Sequence, residues 1–156
     1  MAAVLGATVV LAGCGDDQPE STYGQQDEAG VIPGLEVSNA RLVLPPVEGN
    51  PAAVYLDIAY SGDKGIALSG AEVEGAGMAE IHNTMEWNRE MTMSKANPIP
   101  LRKGDTLSWV PGETHIMAME PTGAWKAGDK VKVTFKLAGA RTHEFEATVE
   151  EAGEER

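Results

Sequence analysis

The chain has 156 residues, 42% of them hydrophobic, and a formal net charge of −12. That length supports one core, and the acidity sets the chain against nucleic acid or anionic lipid as partners. Its single cysteine, Cys14, excludes an internal disulfide and any CxxC chemistry.

Residues 1–10 are apolar but too short to span a bilayer, and they lead into Leu11-Ala12-Gly13-Cys14. That tetrapeptide resembles a bacterial lipobox. In such signal peptides a lipid is attached to the cysteine and everything before it is removed. Residues 1–14 are therefore expected to be a lipoprotein signal segment, with Cys14 as the lipidation site. No Lys or Arg precedes the apolar stretch, so the chain start is expected upstream. A buried strand ending in a core cysteine is the alternative, and the immediate Gly15-Asp16-Asp17 is a poor continuation for one. Residues 15–34 are polar, acidic and rich in turn formers with no usable period, which predicts a flexible tether with a reach of about 25 Å.

Short alternating segments follow. Residues 53–60 place Val54, Leu56, Ile58 and Tyr60 on one side, as a strand would. Ala79-Glu80-Ile81 is read as the end of a strand that delivers His82, and Met91 and Met93 share a parity in the next loop or strand. Strand alternation across residues 114–119 puts His115, Met117 and Met119 on one face and Ile116 and Ala118 on the other. Residues 130–137 and 142–149 predict a hairpin across Ala138-Gly139-Ala140, with His143 in register with Phe145, Ala147 and Val149 as a core or strand-edge residue. Turn signals recur at Gly62-Asp63, Gly104-Asp105, Pro111-Gly112 and Gly128-Asp129, and no stretch keeps helical spacing. The expected fold is all-β, an antiparallel sandwich or barrel, with an acidic solvated tail at residues 151–156.

His82, Met93, His115 and Met117 gather two imidazoles and two thioethers into one stretch. Thioether sulfur favours Cu(I) over hard, oxygen-seeking cations, so copper is the metal these residue types indicate. Taken singly, each has a bland reading as core filler or structural histidine. Met91 and Met119 are the substitutes for Met93 and Met117 by parity, and Met78 and Met85 are either core or further soft ligands. Trp87, Trp109 and Trp125 are read as packing residues, with Trp87 placed to shield a metal.

The order and spacing H-x10-M-x21-H-x-M resemble the motif of the periplasmic copper chaperone family PCu(A)C. The likeness extends to Ser38-Asn39-Ala40-Arg41, to Pro51-Ala52-Ala53-Val54-Tyr55-Leu56, to Pro111-Gly112 ahead of His115, and to Trp125-Lys126-Ala127-Gly128-Asp129. Asn83 after His82 and Glu113-Thr114 before His115 depart from the usual pattern. The resemblance implies a cupredoxin-like β-sandwich over residues 35–150, with His82, Met93, His115 and Met117 binding Cu(I) at one rim. It further implies delivery of copper to the binuclear centre of cytochrome c oxidase, on subunit II, directly or through a thiol-bearing copper chaperone. The lipid anchor would place the protein outside the cytoplasm, at a periplasmic or cell-surface membrane.

The residue types also exclude chemistry. A blue-copper electron-transfer site needs a thiolate, and the only thiol is Cys14. No Ser/His/Asp or Cys/His order and no phosphate-cradling glycine loop is present, so an enzyme is not expected. A copper-scavenging or buffering lipoprotein, and a structural surface lipoprotein without metal, are the other readings.

Overall fold

The computed structural model describes residues 30–87, 90–122 and 125–153. The lipobox with Cys14, most of the tether, the end of the acidic tail and the Trp87 side chain lie outside the described residues. Among the described residues ten strands make up the order: β1 (Leu35–Val43), β2 (Ala52–Tyr60), β3 (Ile66–Val73), β4 (Ala76–Trp87), β5 (Glu90–Lys95), β6 (Ile99–Leu101), β7 (Thr106–Trp109), β8 (His115–Pro121), β9 (Lys130–Leu137) and β10 (Arg141–Glu150). Among the described residues there is no helix long and apolar enough to cross a membrane.

The alternation read from the sequence is what closes the core. In β2, Ala52, Val54, Leu56, Ile58 and Tyr60 are buried while the residues between them are not. In β9, Val131, Val133, Phe135 and Leu137 do the same. β9 and β10 form the expected hairpin, Leu137 pairing with Arg141, and the reversal is made by positive φ at Gly139 and Ala140. His143 is buried there, and its Nδ1 accepts a hydrogen bond from the Ile32 amide at 3.1 Å.

The strands follow one path, β5-β4-β8-β2-β1-β10-β9-β3-β6, with β7 also paired to β2. All pairs are antiparallel except β1 with β10. The path folds back on itself, so that Ile81, Val54 and Ile116 from one side share a single cluster with Leu68, Val133 and Phe135 from the other. The result is the all-β sandwich that the pattern and the resemblance imply. The bend in β1 is at Asn39, which sits at φ 50° inside a register shift between Ser38 and Arg41. Asparagine tolerates that left-handed conformation, and its side chain is held by Asp57 Oδ2 at 2.8 Å.

Two expectations shift. The chain joins the body before residue 34: Ile32 is 3% exposed, and the Glu144 amide donates to the Gly30 carbonyl at 2.8 Å. The apolar side chain and the waiting His143 acceptor draw this segment in. Second, β4 does not end at His82. It runs on to Trp87 because β5 pairs back along it, from His82 opposite Lys95 to Trp87 opposite Glu90. The four candidate ligands are consequently carried on a sheet face, all within strands and none in a loop.

Candidate metal centre

β7 and β8 lie end to end along the same edge of β2: Trp109 pairs with Leu56, and Ile116 with Val54. Between them residues 110–114 leave the sheet through a turn with Gly112 at φ 86°. That interruption sets the start of β8 at His115. From there β8 pairs with β4, and His115 falls directly opposite His82.

The neighbours Ile81 and Ile116 are 4% and 0% exposed and belong to the core. Alternation therefore turns both imidazoles to the outer face of the sheet. Their ring centroids are 6.3 Å apart with planes at 61°. The Tyr55 ring lies 6.0 Å from that of His115 and is itself capped by the Arg41 guanidinium at 5.3 Å. His115 is thus buried despite facing outward.

Each ring has one nitrogen committed. His115 Nδ1 is 3.0 Å from the Glu113 carbonyl oxygen, which fixes Nδ1–H as the donor and leaves the lone pair on Nε2. His82 is the reverse. Its Nε2–H donates to Glu80 Oε2 at 3.2 Å, and Lys95 Nζ donates to the other Glu80 oxygen at 2.5 Å. These two hydrogen bonds, Lys95 first and His82 second, hold the Glu80 carboxyl below the usual carboxylate range. His82 Nδ1 is then a buried nitrogen without a hydrogen-bond partner. A buried polar atom left unpartnered calls for an explanation, and a lone pair kept for a metal provides one.

The thioethers stand around His82. Met117 pairs with Glu80, and Met93 pairs with Thr84, so each is a diagonal neighbour of His82 on the same face. Such neighbours are about 7–8 Å apart at the backbone, within reach of flexible methionines. Met117 is partly buried, whereas Met93 is 57% exposed on a strand whose every residue is exposed. Met91 shares that face one step further out, as its parity predicts. Met119 shares the face of Met117. The sequence motif therefore gathers into one three-stranded patch. His143 stays apart in the core, where burial pushes its imidazole below the ordinary histidine value.

Among the described residues no group of three or more His, Cys, Asp and Glu comes together. The soft donors that share the face of the histidine pair are the thioethers of Met93 and Met117. Glu80, Lys95 and the Glu113 carbonyl were not found from the sequence. The parity of Glu80 with His82 was visible, but Lys95 becomes its partner only through the β4–β5 register.

The model of the LpqE-like family matches residues 35–149. The Leifsonia xyli subsp. xyli protein Lxx21020, named as a lipoprotein, is 29% identical over 135 residues, covering 85% of this chain and 77% of its own. Among solved structures, Cu(I)-DR1885 from Deinococcus radiodurans is 27% identical with a TM-score of 0.59, over 85% of this chain and 89% of that one. A copper-bound PCuAC domain from PmoF2 is 16% identical with a TM-score of 0.62, over 78% and 96%. These neighbours agree with the family resemblance carried by the motif and with the sandwich fold.

Proposed function

The chain belongs to the LpqE-like family, and from that premise we propose that it is an extracytoplasmic Cu(I) metallochaperone carrying its ion on His82, His115, Met93 and Met117. The observation that carries this reading is the opposed histidine pair, with one free nitrogen on each ring and a thioether on either diagonal of His82.

The chemistry follows from the donor set. Thioether and neutral imidazole suit Cu(I), and thioethers need no deprotonation to bind. Nor can they be lost to disulfides in an oxidising compartment, which a two-cysteine carrier risks. The ion is cargo, so the site must also release it. Met93, exposed on β5, is the donor given up first, while the imidazoles, His115 buried and His82 partly so, keep hold.

Binding, orienting and releasing an ion is the whole task under this reading, and no catalytic residue is assigned. Cys14 is taken as the lipid-bearing residue that tethers the domain to a membrane. The acceptor is taken to be the binuclear copper centre of cytochrome c oxidase or a thiol-bearing copper chaperone.

The test is an anaerobic Cu(I) titration of the chain against a competing chelator, beside His115→Ala with Met117→Ala. One tight equivalent, absent from the double variant, is the expected result. Tight binding unaffected by the double substitution would overturn the ligand assignment. Transfer from the loaded chain to a soluble subunit II copper domain then separates delivery from buffering: a buffer retains its ion.

A further inference from the structure

An antiparallel sheet with one face on the core and the other toward solvent normally carries polar side chains outward. The outer face of β4 and β8 departs from this rule beyond the histidine rung. After His82 opposite His115, the register continues with Glu80 opposite Met117 and then Met78 opposite Met119. Ile116 and Ala118, which alternate with the β8 residues, are wholly buried, and Ile81 is nearly so. Met78, Met117 and Met119 therefore stand on the outer face together. Core filling does not account for Met78, which is 46% exposed, while Met117 and Met119 are partly buried on that face.

Directly opposed residues have Cβ atoms about 4.5–5.5 Å apart, and a same-face step along a strand is about 6.6–6.8 Å. Three unbranched thioether side chains with those origins can converge on one point. From the histidine rung to the Met78/Met119 rung is four residues, about 13 Å, too far for one ion to touch both. Met117 stands midway.

We propose that Met78 and Met119, with Met117 shared, form a second Cu(I) site made only of thioethers, through which the ion held at the histidine pair passes on transfer. The inference rests on the Cu(I) reading of that pair. Neutral sulfur donors match Cu(I) and offer little to Cu(II) or zinc, so the second site is selective for the reduced ion. It lacks imidazole and is more open to solvent, which makes it the weaker of the two. During passage copper stays Cu(I): Met117 keeps its Cu–S bond, the bond to the Met93 sulfur and then those to the ring nitrogens break, and bonds to the sulfurs of Met78 and Met119 form. No proton or electron moves.

The experiment uses the full chain with methionine methyl groups labelled with carbon-13, titrated anaerobically with Cu(I) and followed by NMR. Met78→Leu with Met119→Leu, which keeps side-chain volume, is the comparison. In the wild type the first equivalent should shift the methyls of Met93 and Met117, and the second those of Met78 and Met119. In the double variant the first equivalent should bind unchanged and the second be lost, with slower release to a chelator. Methyls of Met78 and Met119 that stay still at every copper ratio, or a second equivalent retained by the double variant, would overturn the second site alone. Absence of any tight equivalent in the wild type would instead remove the primary reading and this one with it.

Discussion

His82 and His115 face one another across β4 and β8 with opposite nitrogens engaged: Nε2 of His82 with Glu80, and Nδ1 of His115 with the Glu113 carbonyl. The pair therefore presents unlike atoms, Nδ1 from one ring and Nε2 from the other. Nitrogen-15 NMR of the rings should show copper displacing the resonances of those two atoms and sparing the other two. Glu80→Ala should lower copper affinity about 10–100-fold, the range typical for lost outer-sphere partners, and should leave His82 a mixture of tautomers. An unchanged tautomer in that variant would assign the orientation of His82 to packing alone.

Met93 is exposed and contributes nothing to the core, so Met93→Leu should shift stability by no more than about 0.5 kcal/mol. Copper affinity should nonetheless fall, and fall further when Met91→Leu is added, because Met91 shares its face on β5. A chelator competition run beside thermal unfolding separates the two effects. Equal affinity in all three proteins would remove β5 from the site.

His143 supplies a pH dependence away from the metal. Burial lowers its pKa in the folded chain, so on acidification the unfolded chain takes up its proton first. Stability from this residue is complete above the unfolded value of about 6.5 and declines as pH falls from there through the lower folded value. Protonation also removes the acceptor for the Ile32 amide. Unfolding of the copper-free chain between pH 8 and 5 should show this loss, and His143→Gln should flatten it. Parallel curves for the two proteins would place the acid sensitivity elsewhere.

Phe135 is fully buried, with its ring 5.7 Å from that of Trp109 and 5.0 Å from that of Phe145. Phe135→Ala should cost about 3–5 kcal/mol in denaturant unfolding. A loss below about 1 kcal/mol would mean the two flanking rings collapse into the space.

What could be read from the chain was whatever depends on near neighbours. Period-two alternation located β2, β9 and β10, left His143 in the core or at a strand edge, and gave His115, Met117 and Met119 a common face. The grouping of His82 with His115 came from the motif, because their facing rests on a register between strands some thirty residues apart. For the same reason Glu80 and Lys95 escaped notice, as did the pairing of Met78 with Met119. The length of β4 was misjudged because nothing local marks His82 as a strand interior. Its partner β5 is short and exposed throughout, so it carries little of the hydrophobic signal by which strands are recognised.

Among the described residues β4 and β8 each have a strand on both sides, whereas β5 has only β4. Backbone amides at an outermost strand open most readily, at little free energy, while those inside the sheet wait for larger openings. Amide hydrogen exchange should therefore be fast around Met93 and slow around His82 and Met117. An ion held by all three strands has anchors of unequal lifetime, and fraying of one edge is enough to begin its exchange while the fold stays intact.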